Sequence, residues 1–557
     1  MAPKEKFLSS NMITTDNYNC YEFYLAATEQ YGEYKQMQHM DEILTRSEYI
    51  RDIEAMAAYF QKELGLKRGD AYTIFCPSNV ESLVAFYALN KLGVIVNFVH
   101  PLLPTEVLLE AVNEAGSKGI MILGLLSKEH IPALNKTGLP IIVCHCSDYA
   151  APLKKAAAGA GEALLQKIFP KIEKATEYKD ILKKYRGQKV EGVVNNYDDV
   201  AVYLNGGGTT GKSKTIKLTN KAFNEVVYKV GYIDKIEDPG EECEIIVLPF
   251  FHCFGLVLAA HMALCNAARL IPLMRFDAKL VLKLYKKNRI AGMGGIPNMF
   301  KKLYYTKGFE GPHLANTRLL FVGGDDLSPS FIKEFDAMLE RNGSPARLLQ
   351  GYGLTEVGSV CCVNTPWDYR EGSIGKALDG IRIEIWDDDH KEVPRGTVGE
   401  IAISGSTMMQ GYLVKDGPKD AGIYYDEEGT PWVLSGDIAY MDDDGYIFFE
   451  GRKKRVIIIS GYNVYPVDIE NLMDTLPFIR ESCAVQGYSP EGKILVRLYA
   501  SLKEKGDEEA YRRQITEICE KNLSQFSVPR EIVFMDDLPH TPLEKVDFMA
   551  LTEKRKK

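Results

Sequence analysis

Asn205-Gly-Gly-Gly-Thr-Thr-Gly-Lys-Ser-Lys214 runs directly into Thr215-Ile-Lys-Leu-Thr219. Taken literally, Gly206 to Ser213 fits the phosphate-loop pattern G-x-x-x-x-G-K-[ST]. Such a loop must open a helix at once, because the helix N-terminus supplies N–H groups that face the phosphates. Here the next residues alternate β-branched and polar side chains, a strand pattern, and a helix begins only near Asn220 or Lys221. The expectation is therefore a loop joining two strands. It still suits phosphate. Consecutive glycines let backbone N–H groups approach oxygens closely. Thr209, Thr210 and Ser213 add hydroxyls, and Lys212 and Lys214 add charge. The plainer alternative is a Gly-rich surface hairpin.

On either side of this loop, short β-rich runs alternate with helix-like segments. AYTIFC at 71–76 precedes VESLVAFYALNKLG, GIMIL occupies 119–123, and RLLFVGG precedes PSFIKEFDAMLERNG. Strand, loop and helix repeated in this way predict layered α/β architecture with largely parallel sheets. An Ala/Lys-rich, mostly helical stretch at about 147–190 reads as a surface insertion without chemistry. Past residue 450 the texture changes. RVIIIS, a Gly-Tyr-Asn turn, a helix from about Val467, AVQGYS, ILVRLYASL, the helix DEEAYRRQITEICEKNL and EIVFM suggest a small α+β unit. The expected organisation is a large multi-sheet domain over 1–451 and a small mobile α+β domain over 452–557, joined at Gly451-Arg452-Lys453-Lys454. A charged junction with few apolar anchors suits a hinge.

A chain of 557 residues exceeds one typical core. Hydrophobic residues at 46% and charged residues at 26% are ordinary for a globular enzyme. The net charge of -9 disfavours nucleic acid and anionic membrane as partners, so anionic substrates would need local positive partners. The 11 cysteines include no C-x-x-C pair, and Cys144 and Cys146 around His145 lack zinc-site spacing, which fits reduced thiols and a cytoplasmic setting. Ile245 to Ala268 contains no Asp, Glu, Lys or Arg and is long enough to cross a bilayer. Pro249, His252, Gly255 and His261 interrupt it, so a buried strand, a turn and a core helix are expected. That reading leaves room for peripheral membrane association. The oligomeric state is not legible.

Four further motifs occur in order: Pro249-Phe-Phe-His252-Cys-Phe-Gly255, Gln350-Gly-Tyr-Gly-Leu-Thr-Glu356, Ser435-Gly-Asp437 and Leu538-Pro-His-Thr-Pro-Leu-Glu-Lys545-Val-Asp547. With the glycine loop, the set resembles the adenylate-forming superfamily of acyl-CoA synthetases, firefly luciferases and peptide-synthetase adenylation domains. The family loop is similar to S-S/G-G-T-T-G-x-P-K-G. This chain keeps Gly208-Thr209-Thr210-Gly211 and Lys214, and departs from it at Gly206, Gly207, Ser213 and Thr215.

The resemblance implies residue roles. Gly207, Gly208, Thr209, Thr210, Gly211 and Lys214 would hold ATP phosphates. Tyr352 and Gly353 would lie near adenine, with Gly323, Gly324 and Asp325 alongside. Thr355 would donate to the α-phosphate, and Glu356 with Thr209 would hold Mg²⁺. Asp437 would take both ribose hydroxyls, since one carboxylate accepts two hydrogen bonds from a diol, and Arg452 would assist. His252 would gate the carboxylate pocket, and Lys545 would bridge the acid and the α-phosphate. His540 and Glu544 depart from the family's Lys and Gly, and Arg455 replaces a common acidic residue. Lys454 falls at the family's hinge, and Ser460-Gly461 would line a pantetheine tunnel.

The implied reaction is AMP-forming acid–thiol ligation. A carboxylate attacks the α-phosphate of MgATP, pyrophosphate leaves, and CoA displaces AMP. Phe250, Phe251 and Phe254 with Gly292-Met-Gly-Gly-Ile-Pro297 suggest an apolar acid pocket, favouring a medium- or long-chain fatty acid. Alternatives are an aryl-acid CoA ligase and an acyl-AMP ligase that loads a carrier protein. From other classes, a P-loop ATPase and a membrane-associated binding protein remain to be weighed.

Overall fold

The computed structural model describes residues 15, 17–126, 128–150, 172–206, 214–233, 236–325, 327–460, 462–490, 493–504, 506–541 and 545–552. Two large sheets dominate. An eight-stranded sheet runs Gly411–Tyr412, Thr215–Thr219, Val200–Asn205, Ile95–Phe98, Ala71–Phe75, Ser117–Leu123, Ile141–Cys144 and Ala175–Glu177. A nine-stranded sheet includes Leu348–Tyr352, Leu319–Val322, Arg289–Gly295, Glu242–Ile246 and Arg269–Pro272 as consecutive neighbours. Adjacent strands among these five pair parallel, as do the strands of the other sheet from Val200–Asn205 to Ala175–Glu177, while antiparallel pairs close that sheet only at its Gly411–Tyr412 end. That is the layered, largely parallel architecture expected from the alternating pattern.

The segment that decides between fold readings is a hairpin. Val200–Asn205 pairs antiparallel with Thr215–Thr219, with Asn205 opposite Thr215 and Val200 opposite Thr219. The helix Asn220–Val230 follows only after this second strand, and Thr219 caps it by accepting the Ala222 N–H at 3.1 Å. A threonine with extended backbone ends the strand and satisfies one of the orphan N–H groups of the helix. Among the described residues the glycine loop thus leads into a strand and not into a helix, unlike a phosphate loop.

The helix Val80–Lys91 is buried along its whole length and begins at Asn79, whose side chain accepts the Ser82 N–H at 3.0 Å. Ile245 to Ala268 folds as a strand end, a turn, a π-helix over Phe254–His261 and an α-helix over Met262–Cys265. No helix among the described residues is long and apolar enough to cross a membrane. The expected core helix is present, but its first two turns are π. Gly255 permits this, since a Cβ there would meet the Pro249 carbonyl at 2.2 Å.

After a five-stranded antiparallel sheet that ends in Ile447–Arg452, a turn over Lys453–Arg455 leads into the C-terminal lobe. There Ile457–Ile459 and Tyr462–Val464 pair as a hairpin, so Tyr462 and Asn463 belong to a strand rather than to the turn expected from sequence. Helices Pro466–Asp474 and Glu508–Asn522 pack on a sheet of Ile479–Tyr488, Ile494–Leu502 and Glu531–Met535. Ile457, Ile469, Met473, Val496, Leu498, Ile515 and Cys519 build a core separate from those of the large sheets. In the 147–190 stretch, Tyr178–Tyr185 is helical, and 151–171 lies outside the described residues.

Candidate active site

The described motif residues meet where the ends of both large sheets face the C-terminal lobe. Tyr352 ends the strand Leu348–Tyr352, and the chain then turns sharply into a short 3₁₀ segment, Thr355–Val357. Gly353 is required there, because a Cβ would lie 1.7 Å from the Ser359 carbonyl oxygen. Thr355 is buried and accepts from the Cys253 thiol at 3.4 Å, which ties the His252 turn to the Thr355–Glu356 segment.

Glu356 Oε1 accepts the Tyr412 hydroxyl at 3.0 Å. The Lys214 ammonium sits 4.4 Å from the centroid of the same tyrosine ring. Gly206, the described start of the loop, also borders this carboxylate, since a Cβ there would lie 3.8 Å from Glu356 Oε1. The base of the glycine loop and Glu356 therefore form one patch bridged by Tyr412. Gly207, Gly208, Thr209, Thr210 and Gly211 lie outside the described residues.

Asp437 is the second anchor. Its Oδ2 accepts the Tyr352 hydroxyl at 2.7 Å, and its Oδ1 lies 3.3 Å from Arg452 Nε. Strand pairing makes this contact, for Asp437 stands opposite Arg452 in the antiparallel ladder. Burial raises the Asp437 pKa, and the Arg452 and Tyr352 contacts oppose that rise. The Tyr352 ring also faces Phe449 at 6.2 Å.

From the C-terminal lobe, Lys545 reaches this region and donates to the Gly324 carbonyl. Gly324 has φ +84, a backbone conformation that glycine adopts without strain, and a Cβ there would sit 3.8 Å from Lys545 Nζ. Burial lowers the lysine's pKa, while Asp325 and Asp437 favour its charged form. His252 feels that ammonium: burial, then Lys545 and His100, pushes its pKa down to about 4. It is neutral near pH 7. Thus Lys545, Gly324, Asp325, Asp437 and His252 share one electrostatic neighbourhood.

The junction is set by charge. Lys453 pairs with Asp388 at 2.9 Å and Glu400 at 3.0 Å. Arg455, where the resemblance suggested an acidic residue, pairs with Glu470, which also accepts the Ala484 N–H at 2.8 Å. Those contacts raise the Arg455 pKa against the opposing effect of burial. Lys454 lies in the short turn between the lobes. Ser460 is exposed with φ +53 at the tip of its hairpin, Gly461 lies outside the described residues, and no described hydrogen bond joins Ser460 to the cluster.

Sequence reading missed Tyr412 and Cys253 as members. A lone tyrosine in Gln410-Gly-Tyr-Leu413 carries no local signal. It arrives because Gly411–Tyr412 pairs with the strand after the glycine loop, Tyr412 opposite Ile216. Also unforeseen were two contacts between the lobes: Lys301 Nζ to Asp474 Oδ2 at 2.8 Å, and Lys503 Nζ to the Tyr305 hydroxyl at 3.3 Å.

Comparison with known proteins follows this geometry. Residues 25–413 match the family described as AMP-binding enzyme, and 468–545 match the AMP-binding enzyme C-terminal domain. A long-chain-fatty-acid–CoA ligase of Escherichia coli O6:H1 is 27% identical over 543 residues, covering 96% of this chain and 94% of that protein. An indoleacetate–CoA ligase of Aromatoleum aromaticum is 30% identical over 343 residues, covering 61% of this chain and 64% of that protein. Among solved structures, ATP-bound MatB from Rhodopseudomonas palustris superposes with a TM-score of 0.80 at 21% identity, covering 96% of this chain and 98% of that chain.

Proposed function

The chain belongs to the AMP-binding enzyme family and is an AMP-forming acid–CoA ligase; we propose that its acid is a medium- or long-chain fatty acid. The reading rests on one observation above the rest: Lys545, carried by the C-terminal lobe, docks on the Gly324 carbonyl beside Asp325 and within electrostatic reach of Asp437 and His252. An amine delivered there can stand between a substrate carboxylate and the α-phosphate of ATP.

In this reading the domain boundary falls at 451/452. The Gly207–Gly211 loop and Lys214 hold the β- and γ-phosphates, and Thr355 donates to the α-phosphate. Tyr352 lines the adenine site with Gly323 and Gly353, and Asp437 takes the ribose diol with Arg452 beside it. Asp437 has the capacity: each carboxylate oxygen accepts more than one hydrogen bond, so the Tyr352 contact need not be lost. Glu356 offers a hard oxygen ligand next to the loop, with Oε1 fixed by Tyr412, which suits Mg²⁺ together with Thr209. When bound, Mg²⁺ neutralises charge on the phosphates.

The first step is in-line displacement. The acid's carboxylate oxygen bonds to the α-phosphorus as the bond to the pyrophosphate oxygen breaks, giving acyl-AMP. Lys545 and Thr355 face the oxygens on which negative charge grows, the place where fixed donors accelerate a reaction most. In the second step the CoA sulfur attacks the acyl carbonyl and AMP leaves. For that step the C-terminal lobe turns about Lys454, withdrawing Lys545 and bringing Ser460-Gly461 to the pantetheine path. Neutral His252 takes no charge into the acid's entry.

The aliphatic preference is supported by Phe254, Leu258, Met293 and Phe321, which border a cavity next to Gly323, and by likeness to the fatty-acid ligase. Likeness to the indoleacetate ligase supports aryl acids as the second reading, and a carrier-protein thiol is the alternative acceptor. The free thiols of all eleven cysteines favour a cytoplasmic setting. Pyrophosphate release across aliphatic and aryl acids, with and without CoA, tests the assignment. Release with aliphatic acids and CoA-dependent turnover supports it; faster release with aryl acids selects the second reading.

A further inference from the structure

We propose that Arg455 is a positioning residue for the first half-reaction: it fastens the turn at the lobe junction to the segment that carries Lys545, so that the setting of the hinge decides where that amine is presented. This rests on the ligase reading above, in which Lys545 bridges the acid and the α-phosphate.

Arg455 closes the short 3₁₀ turn Lys453–Arg455, one residue after Lys454. Its side chain, only 20% exposed, turns into the C-terminal lobe. The guanidinium donates to Glu470 on the helix Pro466–Asp474, and at 3.4 Å to the carbonyl of Ala484 on the strand Ile479–Tyr488. Glu470 accepts the Ala484 N–H at 2.8 Å, so helix and strand hold the ion pair between them. The guanidinium carbon also lies 5.1 Å from the centre of the Phe548 ring, within the range of a cation–π contact.

Phe548 stands three residues after Lys545 and opens the helix Phe548–Leu551. Backbone and cap bonds pin the stretch between them. The Lys545 carbonyl accepts the Thr541 N–H at 2.8 Å, and the Asp547 N–H donates to the Pro539 carbonyl at 2.7 Å. The Asp547 side chain accepts the N–H groups of Met549 and Ala550, both at 3.1 Å. Val546 and Phe548 pack on Cys483, Val485, Leu538 and Leu551. With the backbone held in this way, a shift of Phe548 carries Lys545 with it. The ring that Arg455 faces is the point through which the junction sets the amine.

Across the lobe boundary stands Asp325, next to the glycine whose carbonyl Lys545 engages. It follows a strand of the nine-stranded sheet, and it favours the charged forms of both Lys545 and Arg455. Two cations of the C-terminal lobe thus converge on one carboxylate of the large lobe. An acidic residue at 455, the type the family resemblance suggests, would meet Glu470 and Asp325 with like charge. Glu470, Ala484 and Phe548 share the lobe of Arg455 and turn with it, whereas Asp325 stays behind. Arg455 therefore favours the arrangement that docks Lys545 over the one that follows rotation. It acts through Lys545 and not on the reacting atoms.

The test compares wild type, Arg455→Lys, Phe548→Leu and the double variant in two assays: acid-dependent ATP–pyrophosphate exchange, and thioester formation from supplied acyl-AMP and CoA. Lysine keeps a cation for Glu470 but lacks the planar fork and face of arginine. Leucine removes the ring and leaves the Arg455–Glu470 pair in place. Each single variant should slow exchange about tenfold, since a small misplacement of a reacting group costs that much or more. Thioester formation should keep its wild-type rate or rise. The double variant should lose no more than the worse single one, because both changes cut the same link. An ion pair that serves stability alone would lower both half-reactions together. Equal loss of both, undiminished exchange in either single variant, or losses that multiply in the double variant overturn the positioning role while leaving the ligase reading intact. Wild-type protein without acid-dependent exchange overturns both.

Discussion

The Tyr352 hydroxyl donates to Asp437 Oδ2 at 2.7 Å, joining a strand end of the nine-stranded sheet to the antiparallel sheet that precedes the C-terminal lobe. Hydrogen bonds to a charged group contribute about 1.5–3 kcal/mol. Asp437→Asn should therefore raise the KM for ATP by about tenfold or more. Tyr352→Phe, which keeps the ring, should cost less. Initial rates against ATP at saturating acid check this. Unchanged KM in Asp437→Asn would remove the ribose role.

Lys545 is the one amine that the C-terminal lobe places on Gly324 among the described contacts. Lys545→Ala should lower acid-dependent ATP–pyrophosphate exchange by about a hundredfold or more, the scale of losing a donor aimed at developing charge. Thioester formation from supplied acyl-AMP should survive. Equal loss of both half-reactions would count against the bridging role.

Lys454 occupies the turn between the strand Ile447–Arg452 and the hairpin of the C-terminal lobe. Proline fixes φ and removes the N–H, so Lys454→Pro should stiffen the junction. Pyrophosphate exchange should persist while thioester turnover slows. Full thioester turnover in the variant would place the pivot elsewhere.

The half-buried Lys301–Asp474 pair at 2.8 Å holds the lobes in the arrangement that docks Lys545. Asp474→Asn should remove about 1 kcal/mol from that arrangement, slowing pyrophosphate exchange about fivefold. Thioester formation from acyl-AMP should be unchanged or faster, which a merely destabilised protein would not show. Single-turnover measurements of each half-reaction separate the outcomes.

His261 lies buried between the Tyr87 hydroxyl at 2.8 Å and the Asn224 side chain at 3.2 Å, and burial pushes its pKa from 6.5 down to about 3. The unfolded chain takes up this proton near pH 6.5, whereas the folded protein does so only near 3. The histidine's contribution to stability is therefore complete above pH 6.5 and is lost as pH falls from there towards 3. Urea midpoints should drop between pH 6.5 and 4, with His252, whose pKa lies at about 4, adding to the slope. His261→Gln should flatten the decline. An identical slope in the variant would refute it.

Local pattern carried much of this molecule. Alternation in Thr215-Ile-Lys-Leu-Thr219 pointed to a strand where a phosphate loop needs a helix, and the hairpin with its Thr219 cap bears that out. The strands expected at 71–76 and 119–123 and the helix expected after RLLFVGG stand as Ala71–Phe75, Ser117–Leu123 and Pro329–Arg341. Such signals are legible because strand alternation and helix caps are short-range, decided by neighbours a few residues apart.

Side-chain partnerships across sheets were not legible. Tyr412 reaches Glu356, Cys253 reaches Thr355, and Lys301 meets Asp474 only after strands and lobes from distant parts of the chain come together. Arg455 shows the same limit: in sequence it is an extra charge at the junction, while in the fold it neutralises Glu470. The motif types themselves, a glycine loop, Thr355-Glu356, Asp437 and Lys545, were set by the sequence because phosphate and diol chemistry demand those groups. Which partner orients each group depended on register and packing, which no local pattern encodes.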